Sequence, residues 1–402
     1  MRIEELTAYH VRIPLRKTIR HASHTRTDTD SLIVRCRLDD GTLGWGEGLP
    51  RSYVTGETIA TALEQLRTTG LQPQLGEAFD DLPAAISLSD RIRLTVPQNS
   101  ADERGCFGNS VRCALELSIL DAAARTMQVP LSRVTQLVPE TAAIRQQAER
   151  VRYSAAITSM SPFEQRIQAW KIRMYGFHQT KVKVGTDGID DRSTLKRVRG
   201  ILGPKADLRL DANEAWTCKN LEEKMLPLVP FEITSLEQPV PHAQVDGLAA
   251  VKRNIPVPIM LDESLCSLAD GRKAIERDTC GLFNIRLSKC GGFVKSLRLA
   301  ALAHQAGLGY QLGCQVGETG ILSAAGRHFA CAVAGIRYLE GSYDWFLVKE
   351  RLTVANMTFG YRGFAPALTQ PGLGVEIDSK ALERVTIAEE HFQIASKIKD
   401  AL

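Results

Sequence analysis

The sequence predicts an α/β protein: a parallel barrel of eight strand–helix units behind a mixed α+β unit. Three observations carry this. From about residue 150, short apolar strand patterns recur roughly every 25 residues, nearly all followed by helical patterns, as β–α repetition requires. Before that point the pattern is irregular, with hairpin-like strands first and helices after them. Polar and charged residues also gather at the ends of the repeated strands, the end of such a barrel that carries chemistry.

The first unit opens with IEELTAYHVRIPL and DSLIVRCRLDDGTLGWGEG, whose alternation and DDG turn predict strands. Helical patterns follow around 55–70 and at NSVRCALELSILDAAARTM (109–127), apolar at helical spacing. The eight repeated strands are YSAAIT (153–158), TKVKVG (180–185), DLRLDAN (207–213), ITSLEQP (233–239), PIMLDES (258–264), FNIRLSK (283–289), GYQLGC (309–314) and IRYLEG (336–341). PFEQRIQAWKIRMYG, KNLEEKMLPLV and GFVKSLRLAALAHQAG are among the helices between them. An open, doubly wound sheet is the competing solution, and eight successive units favour closure. The expected domains are 1–128 for the α+β unit and 129–355 for the barrel. The tail, about 356–402, is expected to return to the first domain.

Composition narrows the functional classes. The chain has 402 residues, 44% hydrophobic and 24% charged, which is ordinary for a globular protein of about two domains. Its net charge of +4 is spread without a long basic run, which argues against nucleic acid and leaves an anionic small molecule open. Nine cysteines, an odd number without a CxxC pair, read as free thiols in a reducing compartment. The N-terminus lacks the apolar core of a signal peptide, and no apolar run approaches the roughly 18 residues of a membrane helix. The expectation is a cytoplasmic protein with no membrane partner.

The strand ends suggest the chemistry. Lys181 and Lys183 share one face of the second strand. The third ends in Asp211, with Asn213 on the same face, the fourth in Glu237 and the fifth in Asp262-Glu263. The sixth carries Arg286, the seventh leads to Glu318, and the eighth leads to Asp344. Singly, each acid is equally explained as a strand-end residue capping the next helix. Three on adjacent strands, converging on one mouth, would be costly to bury uncompensated. All-oxygen ligation suits Mg²⁺, or Mn²⁺ in its place, and no HExxH or Cys/His cluster competes for zinc. A carboxylate substrate between Lys183 and Arg286 would have a cation on each face. The metal would stabilise an enediolate while Lys183, its pKa lowered by Lys181 and the metal, moves the α-proton. The alternative is that both lysines only neutralise the carboxylates.

In order, KVKVG, LRLDANEAW, SLEQP, MLDES and FNIRLSKCGG resemble the enolase superfamily, in its muconate lactonizing enzyme branch, which also holds dipeptide epimerases and o-succinylbenzoate synthases. The resemblance covers nearly the whole chain. It implies a (β/α)7β TIM-like barrel whose site is closed by an N-terminal capping domain. It implies Mg²⁺ at Asp211, Glu237 and Asp262, Lys183 as acid/base on one face, and Lys181 as its helper.

Two departures matter. The family's sixth strand reads N-I-K, its lysine being the second acid/base; here it reads Asn284-Ile285-Arg286. Arginine, with a pKa above about 12, accepts no proton at neutral pH. The expectation is therefore an isomerase, cycloisomerase or racemase-like by family, running one-base chemistry through Lys183. A syn-elimination lyase is the alternative, and a non-catalytic metal-binding relative the different-class one. Lys289 falls on the opposite parity from Arg286 and is expected to face helices or a loop. Secondly, the DxD by which dipeptide epimerases hold the substrate amine is here Asp344-Trp345-Phe346, which disfavours a dipeptide. Asp344 then binds a cationic or hydroxyl group, or caps a loop. Glu318 matches a family glutamate near the site, and Glu263 is expected to orient its neighbours. Stretches 16–30 and 49–57 are expected as specificity loops, the first basic enough for an anionic distal group, with His21 and Tyr53 as contacts. A homo-oligomer is expected, as for many barrels of this kind.

Overall fold

The structure, a computed structural model, describes residues 1–20, 25–96, 104–158 and 161–395. Strands β1 (Ile3–Arg20), β2 (Thr25–Leu38) and β3 (Leu43–Gly48) form an antiparallel meander. β4 (Arg150–Arg152) precedes eight parallel strands: β5 (Ala155–Ile157), β6 (Gln179–Lys183), β7 (Asp207–Asp211), β8 (Ile233–Glu237), β9 (Ile259–Leu261), β10 (Leu282–Ile285), β11 (Gly309–Leu312) and β12 (Ile336–Leu339). β13 (Phe364–Pro366) pairs with β4, and β14 (Thr386–Gln393) adds to the outer edge of β1. The eight strands lie in sequence order. The seam between first and last is bridged where the Ser154 N–H donates to the Leu339 carbonyl at 2.8 Å. This is the (β/α)7β barrel with its N-terminal α+β domain.

Local sequence explains how the two parts meet. β3 reads LGWGEG, so Gly44, Gly46 and Gly48 share one face. That face lies on the helix Asn109–Thr126 so closely that a Cβ at each would stand 2.2, 2.0 and 2.0 Å from the carbonyls of Ser118, Ala114 and Ser110. The helix is buried on nearly every side, which is why its apolar residues run all round it. From the same layer two buried carboxylates reach into the barrel. Glu47 accepts from the N–H groups of Thr319 (3.0 Å) and Leu322 (3.0 Å), at the start of the helix Gly320–Ala332. Glu116 accepts from Phe293 and Val294, at the start of Phe293–Gln305. A carboxylate at a helix N-terminus satisfies orphan donors and the helix dipole. These helices begin where barrel strands end, so the contacts hold the α+β domain over the C-terminal mouth.

One expected loop is not a loop. Residues 16–20 and 25–30 continue β1 and β2, with Ile19 opposite Arg26 and Arg20 opposite Thr25. The TDTD stretch reads as polar loop chemistry in isolation, yet Thr29 and Ser31 are fully buried against the protein, and long-range pairing overrides composition. His21 and His24 lie outside the described residues. Among the described residues no helix is long and apolar enough to cross a membrane.

Candidate active site

The barrel register aligns the strand-end groups. Lys183 lies beside Asp211, and Asp211 beside Glu237; Glu237 pairs with Met260, two residues before Asp262. Asp211, Glu237 and Asp262 are fully buried.

Each carboxylate is met by a cation. The Lys181 ammonium lies 3.2 Å from Asp211 Oδ2, 3.3 Å from Glu237 Oε1 and 2.9 Å from Glu340 Oε1. Burial alone would lower its pKa, but these three acids hold it well above the ordinary lysine value. Lys183, two residues on, differs. Among the described residues its ammonium has no hydrogen-bond or ion-pair partner. Burial lowers its pKa, helped by Lys181 and Arg286 against the pull of Asp211 and Glu263. The pKa values of two lysines on one strand are thus shifted in opposite directions by their surroundings.

Arg286 does not stand free in the mouth. Its guanidinium pairs with Asp262 Oδ2 and lies 3.6 Å from Glu237 Oε1. Lys289 corrects the parity argument. β10 ends at Ile285, and the chain then turns, with Cys290 N–H on the Arg286 carbonyl and Gly292 N–H on that of Leu287. Alternation no longer applies past the turn, so the fully buried Lys289 reaches back. It donates to Asp262 Oδ1 (2.8 Å) and to the carbonyls of Asp262 (2.6 Å) and Asn284 (2.9 Å).

The remaining groups divide. Asn213, in the left-handed region at φ 42°, donates its N–H to Asp211 Oδ1 and its amide to Glu263 Oε1 at 3.3 Å, which joins Glu263 to the cluster. Glu318 accepts from the Gln315 N–H, and burial pushes its pKa up to about 8. It lines one small cavity with Glu340. Asp344 accepts from Thr358 at the start of the short helix Asp344–Leu347; among the described residues no ion pair joins it to the lysines and Arg286. Tyr53 packs on Val54, Cys106 and Cys266, with the Arg26 guanidinium 5.5 Å from its ring centre.

Sequence reasoning missed several of these groups. Glu340 follows β12 directly, and the strand-end rule that singles out Asp211 points equally to it. Against the upward push of burial, Lys181 and Arg209 hold its pKa down at about 2. Arg209, two residues before Asp211 on the same face of β7, pairs with Glu340 and was legible by the same alternation. Asn284 donates to Glu237 Oε1 at 2.8 Å. Gln238 binds the Asp262 N–H (2.8 Å) through Oε1 and the Ser264 hydroxyl through its amide, setting the fifth strand end against the fourth; no sequence signal marks it.

The chemistry of this donor set fits a hard divalent ion: three fully buried carboxylates on adjacent strands, with no sulfur or imidazole ligand among them. Their present arrangement is another matter. Among the described residues no three acids stand ready around one point; Lys181, Arg286 and Lys289 occupy their oxygens instead.

Comparison with known proteins shows what the chain is similar to. Residues 164–381 match a family described as Enolase C-terminal domain-like. The N-succinyl-L-Arg/Lys racemase of Bacillus cereus is 26% identical over 97% of this chain and 99% of its own length. Its crystal structure superposes with a TM-score of 0.85, covering 98% of this chain and all of the other. The L-Lys-D/L-Arg epimerase of Methylococcus capsulatus is 30% identical over 86% of this chain and 91% of its own. A dipeptide epimerase of Enterococcus faecalis, solved with Mg and L-Leu-L-Tyr, is 26% identical with a TM-score of 0.81, over 94% of this chain and all of that one.

Proposed function

Because this chain belongs to the enolase superfamily, whose similar members are racemases and epimerases, we propose that it is an isomerase of carboxylate substrates in which Lys183 alone moves the α-proton. The observation that carries this reading is the split between the two lysines on β6. Lys181 is locked as an ammonium by three acids, while Lys183, without an ion pair or hydrogen bond among the described residues and lowered in pKa, is available as a base.

Asp211, Glu237 and Asp262 would hold Mg²⁺, which would supply Lewis-acid stabilisation of negative charge on a substrate carboxylate. The chain's own residues do the rest. Lys183 receives the proton on one face and returns it. Lys181 keeps Asp211, Glu237 and Glu340 in place. Arg286 supplies fixed positive charge on the opposite face and accepts no proton. An N-acylated amino acid is the probe best supported for the proton-transfer half of this reaction. One relative matched over nearly its whole length, the racemase of Bacillus cereus, is named for N-succinylated arginine and lysine. Asp344 is engaged with Thr358, and the sequence carries Phe346 in place of the second aspartate of the dipeptide-epimerase pattern. With a single base, isomerisation is ring closure or opening on one face; exchange with retention is the half-reaction that reports Lys183 and leaves the probe's configuration unchanged.

The test is proton NMR in D₂O with Mg²⁺ and a panel of N-succinyl amino acids, dipeptides and muconate-like acids. Deuterium entering the α-position of an N-acyl amino acid with retained configuration is expected. Inversion would reveal a second base and end the one-base reading.

Arg286 shares Asp262 and Glu237 with any bound ion. Arg286→Met is therefore expected to bind Mn²⁺ on the order of tenfold or more tightly, as removal of a buried like charge requires, read by electron paramagnetic resonance titration. Turnover should fall while Lys183 still exchanges the α-proton. Unchanged or weaker Mn²⁺ affinity would show that Arg286 is no competitor.

A further inference from the structure

The helix Pro162–Tyr175 is apolar on two faces. Gln165, Ala169 and Ile172 are buried on the barrel. On the outer face Phe163, Ile167, Trp170 and Met174 form a second stripe, 70%, 40%, 51% and 75% exposed. Tyr361, 65% exposed, extends it beside the helix C-terminus, its ring 5.8 Å from that of Tyr175. A globular helix ordinarily turns charge towards water opposite its buried face. Aromatic and methionine side chains are also the types that anchor protein interfaces.

We propose that this stripe is the contact face for a second copy of the same chain, the two helices packing antiparallel across a two-fold axis. The stripe steps by four, three and four residues, a spacing that reads the same in either direction. An antiparallel copy therefore meets it in register: Phe163 faces Met174 of the copy, and Ile167 faces Trp170. Glu164, whose carboxylate also closes the capping box with Ser161, and Lys171 each follow a stripe residue on the same flank, so the two-fold axis brings opposite charges together there. Arg166 and Arg173 lie on the other flank. Arg173 is turned back onto its own Trp170 ring, 5.5 Å away, and bonds the Ile201 carbonyl, which relieves like-charge contact. The area suffices for such a pair. An aromatic side chain carries roughly 150–250 Å², so the five residues expose roughly 500 Å² at the stated fractions. Two copies then remove roughly 1,000 Å² from water, the lower range of a specific interface, and larger than isolated surface residues account for.

The experiment is light-scattering mass after gel filtration at micromolar concentration for the parent, Trp170→Glu and Ile167→Arg. The parent is expected as a dimer or an even multiple of one. Each variant should run at half that mass with unchanged circular dichroism, its dissociation constant raised at least 100-fold. The doubly substituted Phe163→Cys, Met174→Cys chain should cross-link between copies under mild oxidation, whereas either single variant should not. A monomeric parent, or variants that keep the parental mass, would overturn the proposal, in the first case leaving the stripe to a different partner.

Discussion

Lys183→Ala is expected to lower α-proton exchange by roughly 10²–10⁴-fold, the usual contribution of a positioned general base. Mn²⁺ affinity and the thermal midpoint should stay close to those of the parent. The reason is the isolation of Lys183: among the described residues it anchors no carboxylate, so its removal breaks no ion pair. Lys181 cannot take over, because Asp211, Glu237 and Glu340 surround it and hold its proton. In the parent, exchange should rise with pH along a limb lying below the ordinary lysine value of 10.5, since burial and then Lys181 and Arg286 lower the Lys183 pKa. NMR in D₂O reads both results. Exchange in Lys183→Ala within tenfold of the parent would mean that another group is the base.

Asp262→Asn is expected to cost about 3–5 kcal/mol of stability, measured by denaturant unfolding with a chelator present. It leaves the Arg286 guanidinium and the Lys289 ammonium buried without their shared counter-ion. An isosteric amide keeps the volume, so packing is not the variable. Combining it with Arg286→Met should recover part of the loss, because one of the two stranded charges then disappears, and the double-mutant cycle reads this coupling directly. A fully stable Asp262→Asn, or strictly additive costs, would show that solvent already compensates these charges.

The barrel itself was written plainly in the chain. Eight apolar patterns at a regular spacing require eight equivalent units, and a strand-end carboxylate such as Asp211 or Glu237 is placed by its own strand alone. Lys181 and Lys183 fall on one face by the same alternation. Glu340 obeys the same rule and was legible, although Asp344 in the next turn attracts attention first. The 16–30 stretch was not legible, because its pairing partner, and not its composition, makes it strand.

What only the folded molecule settled is where the cations go. Alternation is a property of extended backbone and ends with it. β10 stops at Ile285, so the parity that assigned Arg286 and Lys289 to opposite sides no longer held, and both reach Asp262. Which acid pairs with which cation depends on groups 24 to 159 residues apart being brought within 4 Å by barrel closure. The division of Lys181 from Lys183, adjacent in pattern and alike in type, arises from that closure and from the burial that accompanies it: a local pattern places a side chain on a face, while its charge state is decided by neighbours that only the tertiary fold supplies.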